Sequence, residues 1–277
     1  MHDTNPSLSK MTGRYLLPRL LLAGVILTSA ALSCISGWFV YSAKLQRQAV
    51  AEIRASGGKI YYDLELDQGK KAFERTSSLR TWVMGTMGID YIGNVSEVLL
   101  TDVGTDSDLA VVKRFNRLES LFLARSSITD FGLAIISGSG MDHLHFLYLG
   151  DTRLTDVGMI SISRLTGLKE LYLGNVKLSD VGVSHLSGLT NLRTLYIDHT
   201  MVTDSSIPCL QRLPSLQDLN LDYTGVTDAC VPSLKKVRSL RSLSIVGTKI
   251  SDDGVRDLET CLPNTKISYQ RLMFRLW

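Results

Sequence analysis

A short leucine pattern, L-x-x-L-x-L, recurs along most of the chain and constrains its fold more than any other feature. Seven copies begin at Val95, Leu118, Leu144, Leu168, Leu192, Leu216 and Leu240, and a half-copy begins at Asn264. From Leu144 to Leu240, each copy starts 24 residues after the one before it. A fixed period of this length indicates one supersecondary unit stacked on itself. Stacked units build extended binding surfaces and seldom enclose a catalytic pocket.

Each copy carries the signature of a strand followed by a helix. In the copy that begins at Leu168, Leu171 and Leu173 alternate with other residues, as in a strand with one buried face. Apolar residues then recur at helical spacing after Ser179 and Asp180. The same hydroxyl-Asp pair recurs as Thr129-Asp130, Thr155-Asp156, Ser179-Asp180, Thr203-Asp204, Thr227-Asp228 and Ser251-Asp252. Such pairs can cap a first helical turn and favour its dipole, so each unit is predicted to be strand, turn and capped helix.

No single unit can bury its own apolar residues, so neighbouring units must stack. Each buried Leu or Ile contributes roughly 1.5–3 kcal/mol, and most of that burial is against the next unit. The prediction is a right-handed, curved α/β solenoid with a parallel sheet on one side and helices on the other. Because helices are wider than strands, we expect the sheet on the concave side. Two extra residues fall near Ser137-Gly138-Ser139-Gly140 and should form a loop that leaves the strand register intact.

The full pattern, L-x-x-L-x-L-x-x-T-x-[IVL]-[TS]-D-x-G, resembles the leucine-rich repeat of the ribonuclease-inhibitor-like, cysteine-containing subclass. The copies at Leu144, Leu168 and Leu240 match it well, whereas Ser206 and Cys230 stand where the pattern has glycine. The resemblance covers about two-thirds of the chain and is closest to membrane-tethered bacterial proteins of this family. It implies a horseshoe-shaped solenoid. It says little about function, because functional sites are grafted onto folds.

An uncharged apolar segment, Leu20–Ala43, precedes the repeats. Its 24 residues would span roughly 36 Å as a helix, enough to cross a hydrocarbon core. We expect one transmembrane signal anchor here. Two alternatives involve cleavage, namely a signal peptide cut after Ala31 or a lipoprotein formed at Cys34. The apolar run continues past both sites, which favours the anchor.

The domain layout follows from this anchor. We expect a short basic cytoplasmic tail (1–19), the anchor (20–43), a connector and amino-terminal cap (44–94), and the repeat domain (95–277). Basic residues flank the anchor on both sides, so their count does not decide its orientation. A lone span behind a short basic tail is typical of a signal anchor, which places the repeats on the extracytoplasmic side.

The connector and the carboxyl end are predicted to protect the ends of the solenoid. A helix up to Ala55 should end at Gly57-Gly58, and a short strand should follow at Lys59–Asp63. This stretch is similar to the segment that precedes the repeats in the tethered bacterial family, where it acts as a cap. A solenoid needs such a cap to cover its first apolar edge. The residues from Gln270 to Trp277 are expected to fold over the last unit.

Charge and cysteine content exclude several classes of function. Beyond residue 43 the chain carries 27 basic and 26 acidic residues with no basic run, which argues against a nucleic-acid partner. Cys34, Cys209, Cys230 and Cys261 have no paired spacing, which argues against a disulfide framework or a zinc site. We expect them to be buried small hydrophobes.

Motifs for catalysis or cofactor binding are absent from the sequence. Gly57-Gly58-Lys59 lacks the other residues of a phosphate-binding loop, and neither G-x-S-x-G nor H-E-x-x-H occurs. His143 and His145 have strand spacing, but a metal would need a third ligand. We therefore predict a protein that is not an enzyme and that holds no cofactor and no metal.

One row of residues stands out as a candidate binding surface. The middle variable position of each strand holds Leu99, Phe122, Tyr148, Tyr172, Tyr196, Asn220, Ser244 and Ser268. At a strand spacing of about 4.8 Å, the segment from Phe122 to Tyr196 forms an aromatic ladder roughly 15 Å long. With the positions just after each strand, the predicted partner-binding residues are Phe122, Tyr148, Tyr172, Tyr196, Arg125, Asp151, Asn175, Asp198, His199, Asp222 and Tyr223. The alternative is that tyrosine only favours strands and stacks on its neighbours.

The sequence thus favours a non-catalytic, membrane-tethered recognition domain that binds a protein or peptide on its concave face. An alternative from a different class is a structural envelope protein that packs against its own copies or binds a carbohydrate polymer. A hydrolase is a third hypothesis, which the missing motifs weaken. The sequence carries no indication of the oligomeric state.

Overall fold

The computed structural model describes residues 33–34, 37–38, 40–63, 93–138 and 140–270. The predicted tail and most of the predicted anchor lie outside these ranges, as do residues 64–92 of the connector and residues 271–277 at the carboxyl end. Within the described ranges, no helix has both the length and the apolar character to cross a membrane. The anchor, the tail and the folding-over of the carboxyl end therefore stay predictions.

The chain divides into two compact units. One comprises residues 1–47 and 78–92, and the other comprises residues 48–77 and 93–277. A helix, α1, covers residues 40–55, so its second half belongs to the unit that contains the repeats. The features described below belong to the second unit.

Across the described ranges, nine strands form a single sheet in chain order. They are β1 (Lys59–Tyr62), β2 (Val95–Leu99), β3 (Ser120–Phe122), β4 (Phe146–Tyr148), β5 (Glu170–Tyr172), β6 (Thr194–Tyr196), β7 (Asp218–Asn220), β8 (Ser242–Ser244) and β9 (Lys266–Ser268). Strand β1 pairs antiparallel with β2, and every later neighbour pairs parallel. The predicted parallel stacking, the half-copy at Asn264 and the strand after Gly58 are confirmed.

A helix follows the strand in each full repeat. The helices are α2 (Asp106–Val112), α3 (Asp130–Ile136), α4 (Asp156–Ile162), α5 (Asp180–His185), α6 (Ile207–Leu210), α7 (Val231–Leu234) and α8 (Asp252–Cys261). Helices α6 and α7 follow 3-10 turns at Asp204–Ser206 and Asp228–Cys230, and a 3-10 turn at Leu186–Gly188 follows α5. Hydroxyl oxygens cap the helices as predicted; for example, Thr155 accepts from the backbone N–H of Val157 at 3.2 Å.

Aspartates at the starts of five helical segments also join one repeat to the next. The Asp130 carboxylate accepts from the backbone N–H of Thr155 at 2.9 Å and from its hydroxyl at 2.6 Å. The same pair of bonds joins Asp106 to Thr129, Asp156 to Ser179, Asp180 to Thr203 and Asp204 to Thr227. We call this contact the aspartate hook. The repeat pattern predicts only capping and a favourable dipole for these residues, so the contact between repeats is an additional role.

The aspartate hook explains the glycine that follows it in the repeat pattern. A Cβ atom at Gly158 would lie 2.5 Å from the carboxylate of Asp130, and one at Gly182 would lie 2.3 Å from that of Asp156. Where Ser206 and Cys230 replace this glycine, the side chain is buried and the helix begins as a 3-10 turn. The two departures from the repeat pattern thus coincide with a change of helix geometry.

The core lies between the sheet and the helices and repeats with the period of the chain. In the copy that begins at Leu144, both strand-face leucines, Leu147 and Leu149, are fully buried, and so are Met159 and Ile162 of the helix that follows. The register across β3 and β4 is unbroken, as predicted, and Ser137, Gly138 and Gly140 lie outside helices and strands. The strands on the other side of this regular core form one continuous sheet across the repeats.

The amino-terminal edge of the sheet is covered by the end of α1 and by β1. Gly57 has φ of +86° and donates to the Arg54 carbonyl at 3.0 Å, and Gly58 donates to the Ile53 carbonyl at 3.0 Å. This is a Schellman ending, which glycine favours because its backbone tolerates positive φ. The chain then enters β1, where Tyr62 is buried, beside the first strand of the repeats.

Candidate functional site

The third residues of the strands stack in one row across the sheet. The paired residues are Leu99, Phe122, Tyr148, Tyr172, Tyr196, Asn220, Ser244 and Ser268. Ring centroids of Tyr148 and Tyr172 lie 5.5 Å apart, and those of Tyr172 and Tyr196 lie 4.8 Å apart, both pairs edge to face. The strand register agrees with the predicted alignment of these residues, and their binding role stays a prediction.

Phe146 belongs to the same aromatic surface, and sequence reasoning missed it. Its ring centroid lies 4.6 Å from that of Phe122 and 5.2 Å from that of Tyr172. Phe146 is two residues before Tyr148 in strand β4, and residues two apart in a strand lie on one face. That alternation was the available signal. The surface is therefore two aromatic side chains wide at β4.

The positions just after the strands adopt an unusual backbone conformation. Six residues at equivalent places in successive repeats have φ between 53° and 68°: Asp102, Arg125, Asp151, Asn175, His199 and Tyr223. The backbone N–H of Asp151 donates to the Gly174 carbonyl at 3.0 Å, and that of Asn175 to the Asp198 carbonyl at 3.0 Å. Non-glycine residues in this region cost about 1–3 kcal/mol each, so the bonds to the next repeat must hold them there. This row of exposed side chains forms one rim of the sheet face.

A depression of about 450 Å³ lies on this face, and we call it the tyrosine depression. Its lining is Tyr148, Gly150, Asp151, Tyr172, Gly174, Asn175, Tyr196, Asp198, His199 and Asn220. Seven of the eleven predicted partner-binding residues are among them. The repeats thus bring the central tyrosines and the rim residues of three successive units into one site.

The other four predicted residues lie outside the lining. Arg125 makes a two-bond ion pair with Asp102, at 2.7 and 3.1 Å. The Asp222 carboxylate accepts from the Ser244 hydroxyl at 2.7 Å and from the backbone N–H of Val246 at 2.6 Å. Both charged groups are therefore already paired with other groups of this chain.

The two remaining residues are aromatic. Phe122 packs against Phe146, as described above. The Tyr223 ring stacks on His199 at a centroid distance of 4.5 Å and borders Gly247 of the next repeat. These two rings extend the aromatic surface beyond the two ends of the tyrosine depression.

Comparison with known proteins agrees with this architecture. A family model described as "Leucine rich repeat" matches residues 142–202 and 166–226, and a second with the same description matches residues 238–258. The chain is a leucine-rich repeat protein. The subclass stays a prediction. No curated protein matches the chain in sequence.

Three solved bacterial structures are similar to this chain. Internalin C2 of Listeria monocytogenes is 25% identical, with 68% of this chain and 77% of that chain covered and a TM-score of 0.51. A leucine-rich repeat protein of Leptospira interrogans is 19% identical, with 57% and 39% of the two chains covered and a TM-score of 0.46. Internalin F of Listeria monocytogenes is 20% identical, with 58% and 50% covered and a TM-score of 0.44.

The tyrosine depression of this leucine-rich repeat protein is apolar at its centre and acidic at its edges. The Tyr172 hydroxyl donates to the Glu170 carboxylate at 3.0 Å. Burial, together with the charges of Glu170 and Asp218, raises the pKa of Tyr172 far above its usual value. Asp151 and Asp198 line the depression, and neither lysine nor arginine does. The arrangement suits an aromatic contact combined with hydrogen bonds to carboxylates.

The two candidate metal ligands, His143 and His145, are not part of the lining of the tyrosine depression. His143 is exposed and His145 is partly buried, and burial together with the nearby Lys169 lowers the pKa of His145. In the part of the chain that the structure describes, no three His, Cys, Asp or Glu residues gather as metal ligands.

The cysteines are all free among the described residues, but they differ in burial. Cys230 is buried, as predicted, and Cys209 is partly buried. The expectation of burial is wrong for Cys34 and Cys261, which are exposed. Cys261 is the last residue of α8, in the last full repeat.

Proposed function

We propose that this leucine-rich repeat protein is a non-catalytic, membrane-tethered recognition protein that binds a protein or peptide on its sheet face. The observation that carries the proposal is the tyrosine depression, in which three successive repeats contribute a tyrosine and a polar rim residue. Leucine-rich repeat domains are generally protein-interaction modules, which agrees with this proposal.

The physical character of this face suits a peptide or protein surface. Aromatic residues are enriched at the energetically important centres of interfaces, because they remove a large area from water at low entropic cost. Tyr148 is the more accessible ring, at 36% exposure, whereas its neighbours Tyr172 and Phe146 are half-buried. The hydrogen bonds that join each rim residue to the next repeat keep the face rigid. A rigid face loses little conformational entropy when it binds.

The test is capture of partners by the full chain in non-ionic detergent. The variant Tyr148→Ala/Tyr172→Ala/Tyr196→Ala should bind the captured partners with an affinity lower by about 30-fold or more. An aromatic anchor typically contributes 2 kcal/mol or more to binding. A matched control, Phe131→Ala/Val157→Ala/Val181→Ala, removes apolar side chains that are 71, 63 and 61% exposed at the helix starts. Quantitative mass spectrometry of the captured proteins compares the variants.

The control also decides between two surfaces. If the tyrosine variant keeps its helical circular dichroism and captures the same partners as fully as the native chain, the sheet face is not the binding surface. Loss in the control variant instead would place the binding surface along the helix starts.

The membrane tether is the second part of the proposal and is supported by the uncharged stretch at residues 20–43. The native chain should remain in the membrane fraction after an alkaline wash, and deletion of residues 20–43 should release it. Release of the native chain by the wash would exclude a spanning anchor. Cleavage of the repeats by protease added to intact spheroplasts is expected, and protection would place them in the cytoplasm instead.

The tether test also separates the two cleavage alternatives. The mass of the purified amino-terminal peptide should include residues 20–43 if the anchor is retained. A mature chain that begins at residue 32 would indicate a signal peptide, and one that begins at a modified Cys34 would indicate a lipoprotein.

A further inference from the structure

We infer that the partner presents a basic segment, and that one of its lysine or arginine side chains occupies the tyrosine depression between Asp151 and Asp198. The inference rests on the proposed function and specifies the chemistry of the partner. Four properties of the depression support it: its charge, its free hydrogen-bonding capacity, its ring geometry and its size.

The negative charge is a local property of this face. The whole chain has a formal net charge of +3, yet the lining of the tyrosine depression includes Asp151 and Asp198 and neither lysine nor arginine. Glu170 lies beside it and accepts from the Tyr172 hydroxyl at 3.0 Å, and Asp218 lies in the same strand as Asn220 of the lining. Charge complementarity of this kind selects a cationic partner and excludes an acidic one.

The two lining carboxylates retain capacity for a ligand. Asp222 stands at the same place as Asp198 one repeat later, and its carboxylate is held by Ser244 and Val246. By contrast, among the described residues the Asp198 carboxylate has one hydrogen-bond contact, with His199 Nδ1 at 3.2 Å. Asp151 is exposed and accepts from the Asn175 amide at 2.5 Å. An ionised carboxylate has about four acceptor sites, so both can accept further donors.

The tyrosine rings provide the other half of a cation site. Tyr172 meets Tyr148 at an interplanar angle of 68° and Tyr196 at 62°, so the rings present faces in different directions around one space. A lysine or arginine head group is attracted to a tyrosine face within about 6 Å of the ring centroid. The apolar stem of the same side chain can pack along the rings.

The size of the depression fits a side chain rather than a folded domain. Sites for small ligands usually measure roughly 300–1,000 Å³, and the tyrosine depression measures about 450 Å³. The rest of a basic segment would extend along the row of rim residues toward Tyr223. Arg125, at the other end of the row, is already paired with Asp102.

The experiment measures binding of two probes to the full chain in non-ionic detergent by fluorescence anisotropy. A labelled deca-lysine peptide should bind, and a deca-glutamate peptide of the same length should not. The variant Asp151→Asn/Asp198→Asn should weaken deca-lysine binding by about tenfold, the combined effect expected for two partly exposed ion pairs. Added salt should weaken binding of deca-lysine to the native chain and reduce the difference in affinity between the native chain and the variant.

A matched control removes the same charge elsewhere. The variant Asp253→Asn/Glu259→Gln changes two exposed carboxylates of α8, away from the sheet face, and should bind deca-lysine within about twofold of the native chain. Equal weakening in both variants would show that attraction is diffuse, which overturns the inference. Equal binding of deca-glutamate would overturn it as well.

The failure of this inference differs from the failure of the proposed function. If the triple tyrosine variant loses its captured partners while Asp151→Asn/Asp198→Asn keeps them and leaves deca-lysine binding unchanged, the sheet face binds a partner that is not basic. The inference then fails and the function stands. If the tyrosine variant also keeps its partners, both fail.

Discussion

Replacing Gly182 with valine should lower the free energy of unfolding by about 3 kcal/mol or more, roughly a hundredfold change in the folding equilibrium. A Cβ at this position would lie 2.3 Å from Asp156 Oδ1 and 2.4 Å from Leu178 Cδ1. The carboxylate cannot move aside without losing its two bonds to the backbone N–H and hydroxyl of Ser179. Overpacking and unsatisfied polar groups therefore act together.

Gly188→Val is the matched control, because an added Cβ there meets no atom within 4 Å. It should change the free energy of unfolding by less than about 1 kcal/mol. Urea unfolding of the full chain, followed by circular dichroism, measures both variants. In a repeat protein each unit is held by its neighbours, so Gly182→Val should also broaden the transition as the two halves uncouple. Equal stability of the two variants would show that the aspartate hook can accommodate the valine side chain without a loss of stability.

A graded series sharpens this test. Gly182→Ser should destabilise less than Gly182→Val, because Ser206 occupies the equivalent position and its hydroxyl donates to the Thr203 carbonyl at 2.9 Å. That repeat accommodates the larger residue with a 3-10 turn, Asp204–Ser206. A serine effect as large as that of valine would mean that the turn at Ser206 depends on other residues of its repeat.

The strand register and the aromatic row were predictable because both follow from a short period. Alternation places Leu171 and Leu173 on one face, and the 24-residue step puts Tyr172 beside Tyr148 and Tyr196. The capping hydroxyls were predictable for the same reason, since each acts within its own first turn. Local chemistry and repetition together determined these features.

The aspartate hook was not predictable in this way. Each hook joins residues 23 or 25 positions apart, and a carboxylate in a first turn already has a sufficient local role in the dipole. The positive φ of Arg125 and Tyr223 was equally hidden, because such residues rarely leave the ordinary regions of backbone space. Bonds to the next repeat impose this conformation. Features that exist only between repeats thus escape analysis of a single repeat.

Cys230 should resist alkylation in the folded protein by about a thousandfold relative to a thiol of unshifted pKa. Burial, together with the charge and hydrogen bond of Asp204, raises the pKa of the Cys230 thiol from 9.0 to about 12. The thiolate is the reactive form, and a rise of the pKa from 9.0 to about 12 lowers its fraction at pH 8 by about 99.9%. Iodoacetamide labelling followed by peptide mass spectrometry measures the rate at each cysteine.

The exposed Cys261 is the internal control, and it should be labelled long before Cys230. In denaturant both should react at similar rates, because the contact with Asp204 exists only in the folded chain. The raised pKa also predicts that the contribution of Cys230 to the free energy of unfolding falls between pH 9 and 12. In that range the thiol loses its proton in the unfolded chain and keeps it in the folded chain. A labelling rate of native Cys230 within about tenfold of that of Cys261 would show that the last repeats open readily. Stacking there would then be weaker than the buried thiol and the neighbouring aspartate hook imply.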